Sequence, residues 1–232
     1  MHVVSLSFDD GFEDSFPRVA DIYQERGLTA CLNVVATVHG PGYAADVEGV
    51  PELGLTNFEL WNGLIARGHE VMPHTYCHQN LTNVSLATAQ ALIERGLAIF
   101  AEHLDGYDAK RAVYNFAYNA STPQIEALLE TRVRAWRTGG AEINPLPTAT
   151  TRRITCSAHG PDNCEEDLER KLADFLASDG GWFVYNLHGL DEEGWGPVRA
   201  SYLGDLLDRL LDQGVTVGAV GEALDATAGA QN

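Results

Sequence analysis

Short, mostly apolar segments alternate with amphipathic stretches along almost the whole of this chain. Residues 3–8, 30–35, 70–72, 113–116, 133–136, 153–156, 182–187 and 216–220 read as strands. Between them, residues 17–26, 56–67, 85–104, 121–130, 165–177 and 200–211 carry helical signals. Gly27 and Gly68 stop the first two of these helices. Thr56-Asn57-Phe58-Glu59 has the form of a capping box, Ser85 can cap the third helix, and Pro123 sits in the first turn of the fourth. Strand and helix in regular succession predict a parallel α/β sheet with helical crossovers. Two stretches rich in Gly and Pro, residues 37–55 and 137–151, read as loops.

Composition narrows the class. A length of 232 residues with 45% hydrophobic content can bury a full core, and one domain spanning residues 1–232 is the simplest organisation. The formal charge of −18 comes from 33 acids against 15 bases, with Lys110 and Lys171 the only lysines, so nucleic acid and anionic membrane make poor partners. The same balance suits a protein that stays soluble in high salt. No run approaches the roughly 18 to 20 apolar residues of a membrane span. Because the first strand begins at Val3, a signal peptide has no room, and a cytoplasmic location is expected of the chain as it stands; an extracellular one is expected if the chain has been trimmed. Cys31, Cys77, Cys156 and Cys164 show neither CxxC nor zinc-finger spacing and read mostly as buried thiols, although Cys156 and Cys164 could close a small loop.

Candidate chemistry gathers where the strands end. Asp9-Asp10-Gly11 follows the first strand, alternation sends the two carboxylates in opposite directions, and Gly11 permits a sharp turn. One acid of the pair can then ligate a cation while the other stays free as a base. His74-Thr75-Tyr76-Cys77-His78 follows another strand, with Pro73 holding Met72 extended. Two imidazoles and one carboxylate form a three-ligand set with open positions, the arrangement of a catalytic divalent metal. Zinc is the first candidate from ligand type; cobalt, nickel and manganese are also suited. His188 closes the apolar run 182–187, and Trp195 is either a platform on which a ligand ring stacks or a loop anchor.

Ser7-Phe8-Asp9-Asp10-Gly11, then His74-Thr75-x-x-His78, then Leu187-His188, resemble in order and spacing the polysaccharide deacetylase family, the NodB homology domain. That resemblance implies a distorted, incompletely closed (β/α) barrel of about seven parallel strands. It makes Asp9 the catalytic base, Asp10, His74 and His78 the ligands of a zinc-like ion, and His188 the general acid. The implied activity is metal-dependent removal of N-acetyl or O-acetyl groups from a carbohydrate. Hydrolysis of small non-glycan amides and a catalytically silent glycan-binding module are the alternatives. The chain departs from the family at one motif: in place of Arg-Pro-Pro-Tyr-Gly it reads Phe116-Ala117-Tyr118-Asn119-Ala120-Ser121, so the Arg that pairs with the base is missing. Arg137, before the flexible Thr138-Gly139-Gly140, is the candidate substitute, swinging its guanidinium inward to fork onto Asp9. Tyr118, Asn119 and Trp195 are the candidate substrate contacts, and a backbone N–H near residues 119–121 is the candidate oxyanion donor.

Overall fold

The computed structural model describes residues 1–38 and 50–228, so the central part of the expected loop 37–55 lies outside the described residues. The chain forms an α/β fold with two separate ladders. In the larger one, β3 (Glu70–Pro73), β2 (Cys31–Val34), β1 (His2–Phe8) and β8 (Gly181–Leu187) run parallel in that order, with β6 (Ile143–Asn144) antiparallel on β8. The short β9 (Thr216–Val217) pairs with the start of β1, whereas β2 pairs with its end. The smaller ladder is β4 (Val113–Asn115), β5 (Ala135–Gly139) and β7 (Arg153–Cys156), all parallel.

The strands do not close into one sheet. Between β7 and β8 there is a single bridge, Ser157 with Tyr185, and between β3 and β4 the link is a side chain, Asn115 Nδ2 donating to the Pro73 carbonyl at 3.2 Å. Among the described residues the expected count of about seven parallel strands becomes eight, with one antiparallel strand inside the stretch read as loop 137–151. That strand is two residues long, too short to leave a periodic trace.

Helices α1 (Ser15–Gln24), α2 (Phe58–Ala66), α3 (Leu86–His103), α4 (Pro123–Leu129), α5 (Cys164–Leu176), α6 (Ala200–Asp212) and α7 (Val220–Ala228) follow or join the strands. Ser85 Oγ caps α3 by accepting from the Thr88 N–H at 3.1 Å. At α2 the cap is Asn57, not Thr56: Asn57 Oδ1 accepts the Leu60 N–H, and Thr56 Oγ1 instead receives the Trp61 indole N–H. Helix α7 takes over from residue 220, where the apolar run 216–220 read as strand. Among the described residues no helix is long and apolar enough to cross a membrane.

Strand alternation explains the layering. On β1, Val4, Leu6 and Phe8 pack outward into the main core beneath the helices, while Val3, Ser5 and Ser7 face inward. A second apolar cluster of Val3, Cys31, Val113, Ala135, Ile154, Trp182 and Val184 fills the interior together with Ala219, Val220 and Leu224. Above it, two residues further along the strands, the inward positions turn polar: Asn33, Asn115, Arg137 and Asn186, all buried. Asp9 continues this inward series past the end of β1. All four cysteines are buried and free, so Cys156 and Cys164 form no bridge.

Candidate active site

Asp9 is 2% exposed and held at both oxygens. Asn33 Nδ2 donates to its Oδ1 at 2.8 Å, and Arg137 Nη2 donates to its Oδ2 at 2.5 Å. Arg137 thus meets the expected partner, but by a different route: it lies within β5 and points inward by alternation from Ala135, not by a swinging turn. Nor does it fork onto the carboxylate. One guanidinium nitrogen goes to Asp9, Nε donates to Asn115 Oδ1 at 2.8 Å, and Nη1 donates to Asn119 Oδ1 at 2.9 Å and contacts Cys156 Sγ at 3.1 Å. Burial works against its charge, but neighbouring Asp9 outweighs it and raises the Arg137 pKa.

Asp10 leaves the strand with φ 82°, so it does not take the outward path that alternation would give it. Its Oδ1 lies 3.2 Å from His74 Nε2 and 3.0 Å from His78 Nε2. That oxygen is buried and accepts no hydrogen bond. Donor atoms bound about 2.0–2.2 Å from one zinc-like ion sit roughly 3 Å apart, so the three residues present fit a shared divalent cation. Among the described residues they are the one set of His, Cys, Asp or Glu so grouped. His74 Nδ1 lies 3.1 Å from the Asn115 carbonyl, which fixes the proton on Nδ1 and turns Nε2 toward Asp10. Thr75 and His78 also have positive φ, at 69° and 53°. Non-glycine residues in that region carry of order 1 kcal/mol or more of strain each and gather at functional sites.

The remaining candidates surround a cavity of about 730 Å³ lined by Asp9, Asp10, His74, His78, Tyr118, Asn119, His188 and Trp195, among others. His188 is partly exposed to it; burial lowers the pKa, with the charges of Asp10 and Asp9 acting the other way. The Trp195 indole, 46% exposed, meets the His188 ring edge-on at 5.2 Å. Its other support is Gly160, where a Cβ would stand 3.0 Å from the indole. Tyr118, 52% exposed with φ 58°, lies 4.8 Å from the His78 ring. Asn119 is different: its side chain is committed to Arg137 and, at 2.9 Å, to Asn186 Oδ1, which makes it a support and not a free substrate donor. The amides of Asn119 and Ala120 already donate to the Phe116 and Ala117 carbonyls, so neither is available as the expected oxyanion donor.

Sequence reasoning overlooked Asn33 and Asn115, which brace Asp9 and Arg137, and Asn186, which braces Asn119. Asn115 Nδ2 donates to Asn33 Oδ1 at 2.8 Å, and Asn186 Nδ2 to the Ser7 and Leu187 carbonyls. A signal existed: each is an amide in an apolar strand, at its last or next-to-last residue. Tyr76 and Trp136 are buried core residues and do not line the cavity.

The sequence model of the family described as polysaccharide deacetylase matches residues 1–154. No curated protein matches the chain. Among solved structures, the CE4 domain of a multidomain xylanase from the hindgut metagenome of Trinervitermes trinervoides has a TM-score of 0.64 at 17% identity, covering 98% of this chain and 91% of that one. A family 4 acetyl xylan esterase from Clostridium thermocellum, in complex with a cobalt ion, has a TM-score of 0.61 at 15% identity, covering 97% and 91%. A CE4 family pseudoenzyme from Bacillus anthracis has a TM-score of 0.60 at 12% identity, covering 96% and 65%. At these identities the likeness is one of fold.

Proposed function

Because this chain belongs to the polysaccharide deacetylase family, we propose that it is a metal-dependent hydrolase that removes acetyl groups, N-linked or O-linked, from a carbohydrate. The observation that carries this reading is the convergence of Asp10 Oδ1 with two imidazole nitrogens beside a second, separately held carboxylate. Asp10, His74 and His78 would hold the ion, zinc first; the cobalt of the clostridial esterase keeps the wider list of cobalt, nickel and manganese open. When bound, such an ion supplies Lewis-acid polarisation of the acetyl carbonyl and acidifies the attacking water.

The chain's own groups do the rest. Asp9, anchored once at each oxygen, keeps a lone pair on each for the proton of the attacking water. Arg137 and Asn33 prevent the carboxylate from rotating as it takes that proton. His188 faces the same cavity from the end of the neighbouring β8 and delivers a proton to the departing amine or alkoxide. Trp195 and Tyr118 supply apolar walls on which a sugar ring can rest.

The pseudoenzyme among the structural neighbours keeps a silent binding module as the rival. Against it stand Asp9, Asp10, His74, His78 and His188, all present and gathered at one cavity, since a binding module needs no spare base. Acetate release from acetylated glycans, compared with small amides, tests the choice. Hydrolysis of the glycans, abolished by chelation and restored by zinc, is the expected result. Metal-loaded protein that is inert toward both substrate types would leave the silent module standing.

A further inference from the structure

Ser157 follows β7 and lines the same cavity. Its carbonyl accepts the Asn186 N–H at 2.9 Å and its backbone bridges Tyr185, which fixes it beside the strand that leads to His188. Its hydroxyl oxygen accepts a bond from Lys171 Nζ at 2.8 Å. Lys171 lies on α5 and is one of only two lysines in the chain. It is held in turn by Asp167 at 3.1 Å and sits 5.4 Å from the centre of the Tyr185 ring.

An ammonium donates and cannot accept, so this contact uses a lone pair of Ser157 Oγ and leaves the hydroxyl hydrogen for another partner. Among the described residues no protein group takes that hydrogen. A donor polarised by a neighbouring positive charge therefore stands at a cavity wall without a protein acceptor. Its backbone links to Tyr185 and Asn186 tie it to β8, the strand that ends just before His188, whereas His74 follows β3, three places away from β8 in the larger ladder. The side of His188 is the side of the leaving group.

Resting on the deacetylase reading above, we propose that Ser157 donates a hydrogen bond to an oxygen of the sugar next to its acylated position, and so selects sugar acetates over simple ones. Lys171 is the positioning residue: it never meets the substrate and acts by aiming that hydroxyl.

Steady-state kinetics of the zinc-loaded enzyme on acetylated xylan, on N-acetylated chitotetraose and on 4-nitrophenyl acetate, which carries an acetyl group but no sugar, test this. Ser157→Ala should raise KM for whichever sugar substrate is hydrolysed about ten-fold, the size of one charge-assisted hydrogen bond. Its kinetics on 4-nitrophenyl acetate and its Tm should not move. Ser157→Thr keeps the hydroxyl and should recover most of the KM. Lys171→Met should raise KM in the wild-type background and add nothing to Ser157→Ala, because the two act through one bond. An unchanged KM on the sugar, an equal loss on sugar and simple ester, or hydrolysis of the simple ester alone by the wild type would each overturn the proposal. Wild-type protein inert on all three substrates would overturn the deacetylase reading and this proposal with it.

Discussion

Strand β3 is four residues long, yet it joins two unlike polar sites. Glu70 opens it at the amino end of the sheet, beside a cavity of about 260 Å³, and His74 follows it at the carboxyl end, beside the larger one. At the floor, the three carboxylates nearest the start of the strand have their donors. Glu70 accepts from the Cys31 thiol at 3.3 Å and from the Gly221 N–H at 2.8 Å, Glu222 from Thr29 and Ala219, and Asp225 from Arg111 and Arg134. At the rim, Asp10 Oδ1 faces two imidazole nitrogens without accepting a bond, and Asp10, Thr75, His78, Tyr118 and Asn119 all have left-handed backbones. Burial and acidity are common to both ends. What separates them is that acceptors at the rim converge on one point and local strain is retained there, which folding alone does not favour.

Removing the proposed base should break the rim most severely. Asp9→Asn should lower turnover by about two to four orders of magnitude while the protein keeps its metal. It should also melt earlier, by a few kcal/mol of stability, because Arg137 would be left buried without its counter-charge. A normal rate in Asp9→Asn would reduce Asp9 to a structural partner of Arg137. Elemental analysis should find one divalent ion per chain in the wild type and a large loss in His74→Ala. Full metal content in that variant would sink the ligand assignment.

The contrast between the two ends was only partly readable beforehand. The Asp9-Asp10-Gly11 and His74-to-His78 clusters stand out because they are short, local and sit just after apolar runs. Asn33, Asn115 and Asn186 did not stand out, since a single amide in an apolar strand acquires meaning only when strands of both ladders bring such residues to one depth. The partnership of Arg137 and Asp9 was expected on the basis of a flexible turn, whereas β5 runs on to Gly139 and rigid alternation aims the guanidinium. Helix α7 was missed for a related reason. The run Thr216 to Val220 is mostly apolar and too short for a period to separate strand from helix, so tertiary burial against the interior cluster decides.

Arg137 offers an intermediate effect that sharpens the comparison. Arg137→Lys keeps a positive charge near Asp9 but cannot reach Asn115 and Asn119 at the same time. Turnover should fall about 10- to 100-fold with metal content unchanged, since a carboxylate held less firmly is a less well aligned base. Arg137→Ala should in addition cost about 3–5 kcal/mol of stability by leaving a buried carboxylate unpaired. Wild-type kinetics in both variants would show that the Asn33 contact alone orients Asp9.

The smallest expected effect belongs to the floor and concerns pH. Burial, with the charges of Glu222 and Asp225, raises the Glu70 pKa to about 7, against the opposing donors Cys31 and Gly221. The folded protein therefore binds a proton at Glu70 more tightly than the unfolded chain does. The stability this gives is fully present below the unfolded carboxyl value of about 4.3 and is lost as pH rises through about 7. Glu70→Gln removes the titration while keeping a carbonyl oxygen for the Gly221 N–H. Plotted against pH, the difference in stability between wild type and Glu70→Gln should then shift by about 1–3 kcal/mol toward the variant between pH 4.5 and 8. Turnover measured at one pH should be the same in both proteins, because Glu70 lies at the far end of β3 from the cleft. Parallel stability curves would mean that Glu70 stays ionised in the fold; a loss of turnover would mean that floor and rim are coupled through β3 and that the division between them fails.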